Sequence, residues 1–348
     1  MTLLTISEVK RAAQEAQGRA EARFHAQAEA VVQKQTRDGK PFWELTAADA
    51  EAKLTLRAWS DSPAFAACAG LAPGAFLEIE GEFSSHPAFG VEARRWACRP
   101  LEAEEVERLL GGPDALREKQ ARDYETIAEA VAAIADPRLG GLCRLTLEEF
   151  GERFRRTAAA RTYHHARRGG LVEHAAGMIR AARRIAEVYP ALNGDLLVAG
   201  VLFHDIGKLW ENCPEPRGFV MPFDERGELI GHIAIGIEVL NALWRKLLAT
   251  PEAEAWSGMT PPNEAVRNHL IHLIAAHHGE MEFGSPVFPK TPEAITLHYL
   301  DNLDAKLEMM AGGYRNGTAL APRIVERVRP LPANLVVPLE KYVPPAAE

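Results

Sequence analysis

The sequence predicts a multidomain chain, a small N-terminal β-barrel followed by an all-α domain. Three observations predict it. The 348 residues exceed one typical domain. Residues 24–99 break into five short alternating or apolar runs separated by turn residues. From about residue 101 almost to 311, apolar residues recur at helical spacing. The 47% hydrophobic and 25% charged content is ordinary for a folded globular chain.

Residues 1–23 lack a signal-peptide core and read as an amphipathic helix or arm. The runs FHAQAEAVVQKQT, PFWELTAAD, AKLTLRAWS, GAFLEIEGEFSS and FGVEARRWACRP then read as strands, with turns at Asp38-Gly39-Lys40-Pro41 and Ala72-Pro73-Gly74. Five strands over 24–100 suggest a Greek-key barrel such as an OB-fold, which often binds oligonucleotides. Phe42, Trp43, Trp59, Phe83, Phe89 and Trp96 are its aromatic candidates, beside Lys34, Lys40, Arg57, Arg94 and Arg95. Rings beside cations suit single-stranded nucleic acid, because bases stack and phosphates pair. Trp43 and Trp59 are the rings assigned to substrate. At least half of the set is expected to fill the core instead.

Residues 101–160 read as a helical linker region, with Gly111-Gly112-Pro113 between two helices, and 161–315 as the main helical domain. Pro and Gly interrupt the latter at 212–223 and 279–292. The tail, 316–348, is Pro-rich and expected to be extended. No apolar run approaches the roughly 20 residues that span a bilayer, so no membrane partner is expected. Cys68, Cys98, Cys143 and Cys213 are scattered without a CxxC pair, which suits small buried thiols in a reducing cytoplasm. The net charge of −8 argues against tight non-specific duplex binding but leaves room for a local basic groove. Oligomerisation is left open.

The helical half carries the chemistry. The stretch VAGVLFHDIGKLW buries His204, Asp205 and Lys208 among apolar neighbours. His174 (GGLVEH), His232 (LIGHI), His277-His278 (AAHHGEM) and Asp301 (LHYLDNLDAK) sit in similar settings. One such histidine is usually a satisfied core residue. Five segments together point to a shared metal centre, because imidazoles and carboxylates are ligands and ligation offsets their desolvation. On a helix His204 and Asp205 would project about 100° apart, with the carboxylate able to bridge two ions. Lys208 would lie one turn after His204 and face a phosphate. Its bland role is a surface amine at a helix end.

Here the chain resembles a known group. The pattern H…HD…D with HDIGK resembles the HD-domain metal-dependent phosphohydrolases. The order GGLVEH, LVAGVLFHDIGK, LIGHI, HHGEMEFGSPVFPKTPEA, LHYLDNLDAK resembles the YhaM-like 3′→5′ exoribonucleases, over roughly residues 20–315. That resemblance implies an OB-type domain before the HD domain. It implies one ion on His174, His204, Asp205 and Asp301, and a second on Asp205, His232, His277 and His278. It points to manganese, with cobalt able to serve; the ligand types alone would equally allow iron or zinc. Asp301 is preferred to Asp304, which with His298 is a supporting candidate.

The mechanism expected is two-ion hydrolysis of single-stranded RNA, or single-stranded DNA, with Asp205 and Lys208 as catalytic groups and nucleoside 5′-monophosphates as products. Arg161, His164, His165, Arg167 and Arg168, in RTYHHARRGGL, are assigned to the strand's phosphates; their bland reading is a solvated basic turn. The segment 211–231 could close over the site, with Phe219 or Phe223 touching a base. Two alternatives stand: a phosphohydrolase of a nucleotide or cyclic dinucleotide, and a nucleic-acid-binding protein whose HD domain is only structural.

Overall fold

The computed structural model describes residues 2–16, 19–86 and 90–342; Phe89 lies outside them. The N-terminal unit comprises β1 (Leu3–Leu4), α1 (Ile6–Glu15), β2 (Ala20–Gln35), β3 (Pro41–Ala48), β4 (Lys53–Trp59), α2 (Pro63–Cys68), β5 (Phe76–His86) and β6 (Gly90–Pro100). All five expected strands are present. They run in the order β4-β3-β2-β5-β6, antiparallel throughout, with β1 added parallel to β2. The 16-residue β2 is the spine, pairing with β5 through its first half and β3 through its second. A register shift between Ala28 and Ala30 marks the bend between the two.

The strands form a sheet that does not close into the expected barrel. No ladder joins the edge strands β4 and β6 among the described residues. They meet through side chains, the Trp96 indole donating to the Arg57 carbonyl at 3.0 Å. Phe83 and Trp96 are core residues, as expected of part of the aromatic set. Helix α1 opens on a capping box between Thr5 and Glu8 and buries Ile6, Val9 and Ala13 against the sheet. The buried carboxylate of Asp49 accepts from the Ile6 amide at 2.6 Å and fastens this arm.

The helical half contains α3 (Ala103–Gly111), α4 (Asp114–Ala132), α5 (Pro137–Arg156), α6 (Gly170–Val188), α7 (Gly194–Phe203), the single turn α8 (Lys208–Glu211), α9 (Glu225–Leu248), α10 (Asn263–Ala276) and α11 (Pro292–Asn316). Ile127, Val131, Leu139, Leu142 and Phe154, from the stretch read as a linker, join the same core as α6, α7, α9 and α10. Helix α7 is buried from Leu196 to Phe203 and runs through the middle of the bundle, so its end delivers His204 and Asp205 to the interior. Thr291 caps α11 with Pro292 at its first position, as its sequence implies. After α11, three short strands, β7 (Ala319–Ala321), β8 (Ile324–Val325) and β9 (Leu335–Val336), form a small sheet whose Val325 and Leu335 pack beside Met309 of α11. No helix among the described residues is long and apolar enough to cross a membrane.

The segment between α8 and α9 is a bracket between the two halves. Phe219 is buried with Ala48 and Ala50 of the sheet unit. Its amide donates to the Gln27 side chain of β2 at 2.7 Å. Phe219 is therefore committed to packing rather than open to a base, whereas Phe223 is 77% exposed.

Candidate metal centre

Each element end brings one piece. His174 lies on the first turns of α6. His204 and Asp205 follow α7, His232 follows a kink in α9, His277 and His278 follow α10, and Asp301 lies within α11. The kink is at Gly231, whose φ of 71° is left-handed and suits glycine. Gly207 permits the closest approach: a Cβ there would lie 2.0 Å from the His232 carbonyl oxygen. The glycine of HDIGK thus lets the turn carrying Asp205 sit against the one carrying His232.

The side chains converge. His174 Nε2 lies 3.3 Å from both His204 Nε2 and Asp301 Oδ1. Asp205 Oδ2 is 3.3 Å from His204 Nε2 and 3.9 Å from His174 Nε2. Its other oxygen, Oδ1, is 3.7 Å from both His232 Nε2 and His277 Nε2. The rings of His277 and His278 are 4.2 Å apart, and those of His232 and His278 5.1 Å. Among these seven side chains, two groups have donor atoms close enough to hold a cation, His174-His204-Asp205 and His232-His277-His278, and the Asp205 carboxylate faces both.

The outer ring nitrogens explain the orientation. Nδ1 of His204, His277 and His278 donates to the carbonyls of Val201, Ile274 and Phe283 at 2.8, 2.7 and 2.7 Å. A carbonyl only accepts, so in the neutral ring Nδ1 carries the proton and Nε2 keeps its lone pair for a ligand. His174 Nδ1 is held at 2.7 Å by Asp304 Oδ2, and His232 Nδ1 lies 3.3 Å from Glu211 Oε2. Asp205 Oδ1, His232 Nε2 and His277 Nε2 are buried with no hydrogen-bond partner among the described residues. An orphaned buried polar atom costs roughly 2–7 kcal/mol. A divalent cation removes that cost, and the donor set of imidazoles and carboxylates fits one.

Electrostatics agree. Burial opposes charge on His174, yet Asp301 and Asp304 overcome it and raise its pKa to about 9 in the metal-free chain. Burial and the neighbouring His204 and His278 hold His277 well below the ordinary histidine range. Burial works against ionisation of Asp205, but Lys208 and His204 outweigh it and hold the carboxyl well below its ordinary range. Helix α7 stops at Phe203, so the assumed continuous helix is broken. Lys208 therefore pairs with Asp205, Nζ to Oδ2 at 2.7 Å, rather than stacking over His204.

The basic segment before α6 is divided. The Arg161 guanidinium donates to the carbonyls of Met221 and Pro222 at 2.9 and 2.7 Å. Arg168 donates to those of Glu215, Pro216 and Gly218 at 3.0–3.1 Å. Both tie down the bracket. Arg167 is engaged by Glu173 at 2.7 and 2.9 Å and by Glu308 at 3.2 Å, which fixes the start of α6. These three guanidinia are thus engaged by protein groups. His165 Nε2 meets Asp304 Oδ2 at 2.9 Å. Only His164 approaches the centre uncommitted, its ring 5.6 Å from that of His174 and both nitrogens buried without a partner. Burial, then Lys208, lower its pKa to about 4.

In the sheet unit, Trp43 packs against the core, whereas Trp59 is 40% exposed and sits 4.8 Å from the Phe42 ring. Sequence reading missed Glu173 and Glu211. Glu173, one residue before His174 in an apolar run, was a detectable signal of a buried ion pair. Glu211 carried none.

The HD domain family matches residues 171–306, the span containing all seven converging side chains. The chain is 29% identical to the 3′-5′ exoribonuclease YhaM of Bacillus subtilis (strain 168) over 298 residues, 84% of each chain. It is 28% identical to that of Geobacillus sp. (strain WCH70) over 294 residues, 84% of this chain and 81% of the relative. A local match to that of Bacillus pumilus (strain SAFR-032) reaches 35% over 187 residues, 53% of this chain and 54% of the relative. Residues 171–306 thus match the HD domain family, and over most of its length the chain is similar to YhaM 3′-5′ exoribonucleases.

Proposed function

We propose that the chain is a metal-dependent 3′→5′ exoribonuclease, releasing nucleoside 5′-monophosphates from single-stranded RNA, and from DNA when single-stranded. The observation that carries the reading is the Asp205 carboxylate, whose two oxygens face two separate groups of imidazoles. One ion would be held by His174, His204, Asp205 and Asp301, the other by Asp205, His232, His277 and His278. Manganese is the ion we favour; cobalt, iron and zinc suit the same donors. When bound, such ions acidify a water and neutralise charge on a phosphoryl group.

The protein's own groups do the rest. Asp304, Glu211 and three backbone carbonyls fix the imidazoles so that Nε2 points inward. Asp205 sets the spacing between the two groups. Lys208 uses one ammonium proton on Asp205 and has two more for the phosphoryl oxygens. An OB-type reading of the sheet unit accords with five antiparallel strands in a partly open arrangement. The exposed Trp59 ring, beside Phe42, would stack a base. The relatives' printed activity supports RNA over a free nucleotide.

The test is a 5′-labelled oligoribonucleotide incubated with metal-stripped protein, before and after adding manganese. A descending ladder with 5′-monophosphate products is expected only after addition. An intact strand with turnover of a nucleotide or cyclic dinucleotide would replace RNA as substrate. A strand bound but never cut, with no turnover of small substrates, would leave a binding protein.

A further inference from the structure

Four of the five residues in the basic segment 161–168 are held by protein partners, and one is not. His164 has neither ring nitrogen satisfied, although both are buried. It sits in the loop between α5 and α6, beside the His174 ring, with Lys208, Asp301 and Asp205 as its charged neighbours. The next residue, His165, has a φ of 45°, alone among the described non-glycine residues in being left-handed. Its side chain is pinned to Asp304. A loop held in an uncommon backbone shape by the His165–Asp304 hydrogen bond, presenting one unsatisfied imidazole to a reaction centre, is arranged for a group that arrives from outside.

We propose that His164 is a catalytic residue, whose ring N–H donates a hydrogen bond to a non-bridging oxygen of the phosphoryl group under attack. The assignment rests on the phosphodiesterase reading above. Lys208 is among the charged neighbours of His164, so the phosphoryl group would lie between His164, Lys208 and the ion-binding groups. No proton is transferred. The hydrogen bond strengthens as charge accumulates on that oxygen.

The test compares wild type with His164→Ala and His164→Gln as full-length, manganese-loaded proteins. Metal content is measured by mass spectrometry. kcat and KM are measured on oligoribonucleotide and on bis(p-nitrophenyl) phosphate, with and without added imidazole. For His164→Ala we expect unchanged metal content, KM within about threefold and kcat lower by roughly 100- to 1000-fold. The Gln variant, which keeps an N–H donor, should recover part of the loss, and imidazole should raise the rate of the Ala variant. Wild-type kcat in the Ala variant, loss of bound metal, or a deficit that neither Gln nor imidazole relieves would each overturn the assignment. Bis(p-nitrophenyl) phosphate contains no RNA. Wild-type activity on it alone would sink the RNA reading and still let His164 be judged. Wild-type RNA cleavage matched by the Ala variant would sink only the role of His164.

Discussion

Replacing Asp205 with Asn keeps the shape of the side chain and removes its charge. The two oxygens now serve different groups, Oδ2 facing His174 and His204, and Oδ1 facing His232 and His277. An amide can present an oxygen to only one of them, and its NH2 would point at the other. One ion loses a ligand and gains a repelling donor, and the negative charge shared by both is gone. At a concentration of 100 times Kd, an ion stabilises the folded chain by about 2.7 kcal/mol. The variant should therefore lose roughly that much manganese-dependent stabilisation, seen as a smaller rise in Tm on adding the ion. Activity should fall by at least about 1000-fold, or roughly 4 kcal/mol in barrier height. Binding of a labelled strand should change little, because the exposed Trp59 ring, beside Phe42, lies in the other unit. The assay pairs calorimetry with and without manganese against strand hydrolysis. Hydrolysis at the wild-type rate with an unaltered Tm response would refute the reasoning.

Three further outcomes follow from the same geometry. Asp304→Ala removes the acceptor that orients both His174 and His165; metal affinity by calorimetry should weaken about 10- to 100-fold, and wild-type affinity would show that Asp304 does not position the ligand. His174 holds a proton up to about pH 9 in the metal-free chain, and an ion must displace it. Apparent affinity should thus fall as pH drops below that value and level off above it, and a flat profile from pH 6.5 to 8.5 would contradict this. Trp59→Ala should raise KM for oligoribonucleotide by about fivefold or more, since a stacked base contributes roughly 1–3 kcal/mol. It should leave turnover of bis(p-nitrophenyl) phosphate unaltered, and an unchanged KM would remove the stacking role.

Much of the centre was legible because its residues break a local rule. His174, His204, Asp205, His232, His277 and Asp301 are polar groups in apolar helical runs, and such groups need partners. The five strands were equally plain in alternation and turn residues. Three things were not. The edges β4 and β6 meet by side-chain contacts rather than a ladder, and no local pattern encodes that. The arginines of 161–168 look like a phosphate grip in one dimension, but their acceptors are carbonyls of 215–222 and carboxylates of α6 and α11, distant in sequence. Lys208 is expected on the His204 face only if the helix continues; the helix ends at Phe203, and the ammonium pairs with Asp205.

Two cations sharing the Asp205 carboxylate define the proposed centre. Anomalous diffraction at the manganese edge, from crystals of manganese-loaded protein, tests it most directly. Two peaks are predicted on either side of Asp205, one against His174, His204 and Asp301, the other against His232, His277 and His278. A lone peak away from Asp205, or none among these side chains, would contradict it.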